Sequence, residues 1–230
     1  MNILVIIGSP KAKMSNSEAI GNYLIEKLDK EGVNTEKFFL YNELMSDSEL
    51  IRYINNADKI VFSLPVYENT VPGLVLRCFE VIRNNKEILV QRNREMMAIV
   101  NSGLPEVKAC SGAIETCMFF AKEMEFHWIC GIPVAPGTLI DGKNLNETRN
   151  TYKRLIIMLD IIAKNICFNK DIIVKECKLV SKPFINPLIY RLVGRLLQES
   201  VIKKLGKERY YAKPMINKVS EKACSGQAFL

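Results

Sequence analysis

Residues 2–18 read NILVIIGSPKAKMSNSE, and this stretch decides the fold to which the chain is assigned. Its apolar run is continuous up to Gly8, which is typical of a parallel strand with both faces buried. Ser15 and Glu18 have the spacing of a capping box, so a helix is expected to begin there. Backbone N–H groups and the positive end of a helix dipole meet at such a turn. The stretch therefore predicts a strand, an anion-binding loop and a helix.

Apolar runs and segments of helical periodicity alternate along the chain as far as residue 167. The predicted strands are 2–7, 35–40, 59–64, 96–101 and 126–133. The predicted helices are 16–31, 47–56, 71–84, 108–125 and 146–167. Strict alternation of this kind predicts a doubly wound α/β fold. Five strands favour the flavodoxin-like parallel sheet with strand order 2-1-3-4-5.

The composition is that of an ordinary globular protein, with 48% apolar and 25% charged residues in 230. No apolar run approaches the ~20 residues that a membrane span requires, and the first residues lack the basic segment of a signal peptide. Seven cysteines, none in a C-x-x-C pair, favour reduced, buried thiols over metal ligands. We therefore expect a cytoplasmic protein without a metal site.

The charge is placed unevenly, although the whole chain carries a net charge of only +7. Residues 170–230 hold 13 Lys and Arg against 5 Asp and Glu, a net charge of +8, and the rest of the chain is close to neutral. We predict two parts, a flavodoxin-like domain at 1–169 and a basic helical extension at 170–230.

Within the extension an amphipathic helix is expected from Asn186 and Pro187 to Gly206. Docking of this helix on the domain or on a second subunit is the favoured expectation. Contact with a membrane surface through residues 183–230 is less favoured, because the apolar stripe lacks tryptophan and phenylalanine. No nucleic-acid partner is expected.

Ligands of an open α/β sheet bind beyond the carboxyl ends of the strands, where the strand order reverses. For the order 2-1-3-4-5 this point lies between strands 1 and 3. The loops at 8–17, 65–72 and 102–106 should therefore face one crevice.

The first loop fits neither common nucleotide motif. A triphosphate loop would need glycine at position 13 and lysine at 14, and a dinucleotide loop would need glycines at 10 and 13. The chain has Pro10, Lys13 and Met14 instead. What remains is a set of hydroxyl and amide groups with a nearby lysine, which suits a terminal phosphomonoester. The same composition also occurs in ordinary strand-to-helix turns. The candidates are Ser9, Ser15, Asn16 and Ser17, with Lys11 or Lys13 supplying the charge.

The other two loops could hold a flat ring beside that phosphate. Tyr67 could supply an aromatic platform, with backbone groups of Pro65, Val66 and Glu68 at the ring edge. An ordinary loop aromatic is an equally good interpretation of Tyr67. Gly103 would allow the backbone to approach a ligand closely.

The combined motifs resemble the flavodoxin-fold NAD(P)H-dependent FMN reductases and related oxidoreductases. The resemblance rests on Gly8-Ser9-Pro10-Lys11 with Ser15-Asn16-Ser17, on Pro65-Val66-Tyr67 with Val71-Pro72, on 101–106 and on Trp128–Gly131 with Gly137. It implies FMN, with its phosphate in the first loop and its isoalloxazine between the other two. It also implies NAD(P)H (NADH or NADPH) as co-substrate and a homodimer. The candidate cofactor residues are Ser9, Lys11, Ser15, Asn16, Ser17, Pro65, Val66, Tyr67, Glu68, Asn101, Ser102 and Gly103.

The leading hypothesis is an FMN-dependent oxidoreductase that reduces a small acceptor such as a quinone or a flavin. The alternatives are an electron carrier without a nicotinamide site and a non-enzymatic protein that binds partners through its basic extension. No catalytic residue is assigned, because the flavin itself would carry the chemistry. His127, the only histidine, is expected to be packed in the core.

Overall fold

The computed structural model describes residues 1–11, 13–41, 46–148, 150–167, 188–190, 192, 194–196, 199 and 203. The chain divides into two units, Met1–Pro187 and Leu188–Leu230. The predicted boundary between residues 169 and 170 lies outside the described residues and stays a prediction.

Strands and helices alternate throughout the described part of the first unit. The strands are β1 (Asn2–Ile7), β2 (Asn34–Phe39), β3 (Lys59–Pro65), β4 (Glu95–Asn101) and β5 (His127–Val134). The α-helices are α1 (Asn16–Lys30), α2 (Asp47–Asn56), α3 (Gly73–Asn84), α4 (Ser111–Glu123) and α5 (Lys153–Cys167). All neighbouring strands are parallel and their order is β2-β1-β3-β4-β5, which confirms the predicted fold.

Alternate residues of β1 enter two different cores. Leu4 and Ile6 belong to the cluster formed with α2, α3 and α4. Ile3, Val5 and Ile7 belong to the cluster formed with α1 and α5. Because both faces of the strand are covered, every position from 3 to 7 must be apolar. The continuous run of the sequence is a direct consequence of this double burial.

Helix α3 begins at Gly73, two residues later than predicted, and two further helices begin still later. Helix α5 begins at Lys153 rather than at residue 146, because the preceding residues form turns, with Thr148 N–H donating to Leu145 O at 3.1 Å and Thr151 N–H to Thr148 O at 3.0 Å. Helix α4 begins at Ser111, after a 3-10 turn over Val107–Cys110. In both places turns with hydrogen bonds between residues three apart precede the helix and continue its periodicity.

The expectation for His127 was wrong. The residue is exposed, because it is the first residue of β5, which is an edge strand of the sheet. Its place in an apolar stretch suggested burial, but the burial begins further along the strand.

Four cysteines of the first unit, Cys78, Cys110, Cys117 and Cys130, are free thiols. Cys78, Cys110 and Cys117 are buried, as predicted, whereas Cys130 is half-buried. Burial raises the pKa of the Cys110 thiol to about 11 and that of Cys117 to about 12. These thiols therefore stay protonated at neutral pH and are poor nucleophiles.

In the second unit the described residues 188–190, 192, 194–196, 199 and 203 have helical backbone, in agreement with the predicted amphipathic helix. Asn186, Pro187 and Gly206, the predicted ends of that helix, lie outside the described residues. Among the helices that the structure describes, none is both long and apolar enough to cross a membrane.

Candidate functional site

The first loop leaves β1 at Gly8, where the surrounding residues leave no room for a Cβ atom. The N–H of Gly8 donates to Ser63 O at 2.8 Å, which holds the end of β1 against β3. A Cβ on Gly8 would lie 2.7 Å from Val75 Cγ2 and 2.9 Å from Leu64 Cβ. The absence of a side chain therefore lets the loop turn close to β3 and α3.

Hydrogen bonds between residues that are close in sequence define the shape of the first loop. Ser15 is the N-cap of α1, and its Oγ accepts from the N–H of Glu18 at 3.0 Å, as the capping box predicts. The N–H of Met14 donates to the carboxylate of Glu18 at 3.0 Å. The Lys11 ammonium donates to Met14 O at 3.0 Å, and the Lys11 N–H donates to Ser9 Oγ at 3.2 Å. The loop is thus folded on itself before any ligand binds.

Two N–H groups of the first helical turn remain open. Among the described residues, no acceptor is found for the backbone N–H groups of Asn16 and Ser17. The positive end of the α1 dipole adds to them, so an anion at this point would be stabilised. This observation fits a phosphate group.

Asn101, at the end of β4, joins the loops that the strand order brings together. Its Nδ2 donates to Ser17 Oγ at 2.8 Å and to Leu64 O at 3.0 Å. Its backbone oxygen accepts from Val66 N–H at 2.9 Å. Asn101 and Ser17 are both almost fully buried, with 5% and 1% exposed. One side chain therefore fixes the start of α1, the end of β3 and the end of β4 relative to one another.

The second loop is a tight turn that carries an exposed aromatic ring. Tyr67 and Thr70 exchange backbone hydrogen bonds of 3.0 and 2.9 Å, and the residues between them, Glu68 and Asn69, have positive φ angles of 47° and 60°. Two central residues with positive φ give a type I′ turn. Tyr67 is 49% exposed, so its ring is accessible to a ligand. The sequence analysis did not predict this turn.

The third loop is fastened to β5. The N–H of Ser102 donates to Val134 O at 2.9 Å, and the N–H of Gly137 donates to Ser102 O at 2.6 Å. Ser102 Oγ accepts from the N–H of Leu104 at 3.0 Å. Gly103 follows directly, and a Cβ there would meet only Thr138 Cγ2, at 3.4 Å.

A contact that the sequence analysis missed supports the first loop from the segment between β5 and α5. The N–H of Gly142, between β5 and α5, donates to Asn16 Oδ1 at 2.9 Å. Gly142 has a φ of 68°, and a Cβ on it would lie 2.0 Å from Met14 O. The dipeptide Asp141-Gly142 is a turn signal that could have indicated a turn, but not the segment it contacts.

Other features of the described structure lie outside the junction of the three loops. A cavity of about 570 Å³ opens beside α1 and β2, and it is lined by Lys13, Met14 and Glu18 of the first loop and helix but by no residue of the second or third loop. His127 stands at the amino end of β5, whereas the loops follow the carboxyl ends of the strands. The described residues hold no cluster of potential metal ligands.

A comparison with protein families finds a match in the part of the chain that carries the first two loops. Residues 1–103 match the family model of NADPH-dependent FMN reductases. The chain resembles an FMN reductase. The matched segment contains the first two loops and ends at Gly103, in the third. The match confirms the predicted resemblance to the flavodoxin-fold FMN reductases.

Solved structures confirm the fold at low identity. An FMN-dependent NADH-azoreductase from Bacillus anthracis is 12% identical, with a TM-score of 0.51, over 73% of this chain and 100% of that one. A flavone reductase is 19% identical, with a TM-score of 0.54, over 72% and 62%. A flavodoxin, WrbA-like protein from Agrobacterium tumefaciens is 11% identical, with a TM-score of 0.51, over 73% and 98%. No curated protein sequence matches the chain.

The hydrogen bonds of Asn101 should stabilise the whole domain. Asn101→Ala leaves two buried acceptors without a donor, so we expect the free energy of unfolding to fall by roughly 2–4 kcal/mol in urea denaturation. Asn85→Ala is the matched control, because it removes a single amide hydrogen bond, to Val81 O, at the end of α3. The control should lose only about 0.5–1.5 kcal/mol. Equal losses in the two variants would contradict the role given to Asn101.

A second prediction concerns the support of the first loop. Gly142→Ala should displace Met14 and weaken FMN binding at least about tenfold, the cost of one hydrogen bond to a charged phosphate. Gly32→Ala is the control, because Gly32 has a similar φ of 76° but nothing within 4 Å of its Cβ position. It should lose about 1–2 kcal/mol of stability and keep its FMN affinity. Fluorescence titration of the two apoproteins with FMN measures both affinities. An unchanged affinity of Gly142→Ala would contradict the role of Gly142 in supporting the first loop.

Proposed function

We propose that this protein is an FMN-dependent oxidoreductase that passes reducing equivalents from NAD(P)H to a small acceptor such as a quinone or a free flavin. The observation that carries the proposal is the junction at Asn101, because it draws an open helix N-terminus and two further loops to one edge of the sheet. The FMN reductase match over the same segment supports it.

The first loop would hold the phosphate of FMN. The backbone N–H groups of Asn16 and Ser17 supply the donors, and Lys11 supplies a nearby positive charge. The hydroxyls of Ser15 and Ser17 are only 3% and 1% exposed and already accept hydrogen bonds from Glu18 and Asn101. In our proposal the backbone therefore contributes more to phosphate binding than these hydroxyls. Ser9, also buried, would keep the turn in shape.

The second and third loops would hold the isoalloxazine. Tyr67 offers a half-exposed ring, and backbone groups of Pro65, Val66 and Glu68 would lie at the edge of the isoalloxazine. Ser102 and Gly103 would line the opposite edge together with Asn101, since Gly103 leaves room for close approach.

The bound flavin would accept a hydride from the nicotinamide and pass electrons to the acceptor. The chain would orient this ring and exclude water from one of its edges. We assign no side chain a catalytic proton or nucleophile, since Cys110, a buried thiol near the third loop, keeps a raised pKa.

We also infer a homodimer, as the family resemblance implies. A groove between α3 and α4 supports it: Leu76 is 43% and Phe119 61% exposed, and both line this groove together with Phe79 and Phe120, whose stacked rings have centroids 3.9 Å apart. A second copy would remove these side chains from water.

Anaerobic titration tests the redox function. Purified protein reconstituted with FMN should lose its visible flavin absorption on addition of stoichiometric NADH or NADPH, and should regain it when a quinone is added. Flavin that binds but is not bleached by either nucleotide would favour the electron carrier without a nicotinamide site. Failure to bind flavin at all would favour the non-enzymatic alternative.

The phosphate assignment has its own test. Riboflavin lacks only the phosphate of FMN, and two hydrogen bonds to a charged group are worth about 3–6 kcal/mol. We therefore expect the apoprotein to bind FMN at least about 100-fold more tightly than riboflavin. Similar affinities for the two ligands would refute phosphate binding in the first loop, even if the flavin ring itself binds.

A further inference from the structure

A cavity of about 420 Å³ lies at the edge of the sheet opposite to the candidate flavin loops. It is lined by Lys86, by residues 89–94 and by residues 124–126. These segments lead into the amino ends of β4 and β5, whereas the candidate flavin loops follow the carboxyl ends of strands. The cavity is therefore separate from the proposed flavin site.

Arg94 is a buried cation in the lining of this cavity, with only 2% of the residue exposed. Its Nε donates to Ile54 O at 3.1 Å, and its Nη2 donates to Asn55 Oδ1 at 3.3 Å. Both partners lie in the last turn of α2, where the negative end of the helix dipole favours a cation. These contacts explain why the side chain lies here.

The guanidinium of Arg94 has donors left over. An arginine has five N–H bonds, and the contacts with α2 use two of them. Within the described part of the chain, Nη1 has no acceptor and the guanidinium has no carboxylate partner. The same part of the chain holds no polar side-chain atom that is shut off from solvent without a partner. Since Arg94 lines the cavity, we infer that Nη1 is open to it.

The neighbouring carboxylates are already paired with other cations. Asp58 accepts from Arg92 at 2.8 Å, and Glu125 accepts from Lys86 at 2.7 Å. The charged residues of the lining are three cations and one carboxylate. A buried charge without a counter-ion is costly, so an anion that enters the cavity next to Arg94 would be stabilised.

The rest of the lining offers both polar and apolar contacts. The side chains of Gln91 and Asn93 are exposed and have no hydrogen-bond partner among the residues that the structure describes, so their amide N–H groups are available to a ligand. Leu89, Met124 and Phe126 are each no more than 7% exposed and supply an apolar surface. A ligand with an anionic group and a short apolar part would satisfy both kinds of contact.

We propose that this cavity binds a small organic acid, with its carboxylate or phosphate group on Arg94 and its apolar part against Leu89, Met124 and Phe126. The planar guanidinium suits either group, because two of its N–H bonds can donate in parallel to two oxygens. The volume of the cavity lies in the range of small-molecule sites. The proposal does not depend on flavin binding.

An NMR titration of the full chain tests the proposal at Arg94 itself. The probes are benzoate, phenyl phosphate and inorganic phosphate, with benzyl alcohol as the uncharged control. Benzoate or phenyl phosphate should shift the ¹H–¹⁵N resonance of Arg94 Nε in a saturable way, with a dissociation constant of about 1 mM or lower, and benzyl alcohol should not. The relative affinities of benzoate and phenyl phosphate distinguish a carboxylate ligand from a phosphate ligand.

The local readout also separates this site from the first loop, which would attract phosphate as well. The titration is therefore repeated on protein loaded with FMN, and the shift at Arg94 should persist. A protein that fails to bind FMN would refute the proposed function and leave the shift at Arg94 unchanged.

Two variants examine the role of the positive charge. Asn93→Asp adds a carboxylate beside Arg94 at an exposed position and should weaken anion binding about fivefold. Asn146→Asp is the matched control, because it adds the same charge at an exposed asparagine between β5 and α5 and should leave the affinity unchanged. Arg94→Lys keeps the charge but loses the planar fork, so binding should fall at least about tenfold. Thermal unfolding reports separately on the stability of each variant.

Three results would overturn the proposal. The first is that none of the three anions shifts the Arg94 resonance at concentrations up to about 10 mM, which would leave Arg94 only the role of capping α2. The second is that benzyl alcohol binds as tightly as benzoate. The third is that Asn93→Asp and Asn146→Asp bind the anions equally well.

Discussion

The side-chain amide of Asn101 is the interaction on which the candidate site depends. Its two donors reach Ser17 at the start of α1 and Leu64 at the end of β3, and both acceptors are buried. A buried acceptor that loses its donor destabilises the folded state, so this arrangement fixes the positions of the loops. The open N–H groups of α1 and the exposed ring of Tyr67 thus stay at one edge of the sheet.

The double burial of the central strands makes that arrangement rigid. Residues 3–7 of β1 alternate between a core with α2–α4 and a core with α1 and α5, so a shift of one residue would place every side chain in the wrong core. The loop that follows β1 begins from a strand that cannot slide. A glycine at position 8 then lets that loop turn close to Leu64 and Val75. A site for a flat, charged cofactor requires such fixed supports.

Much of this could be predicted from the chain because the signals are local. The β1 run and the capping box at Ser15 predicted a strand and a helix that the structure confirms. The strand order followed from the alternation of elements. The beginnings of α4 and α5 could not be predicted, since 3-10 and other tight turns share helical periodicity. His127 was misplaced because an apolar neighbourhood does not show which residue begins an edge strand.

The sequence by itself determined the fold class, the three loops and the phosphate-compatible chemistry of the first, because strand burial, helix capping and turn composition depend on near neighbours. Only the tertiary structure decided that Asn101 joins these loops and that Gly142 supports the first loop, since these contacts link residues that are 37, 84 and 126 positions apart in the chain.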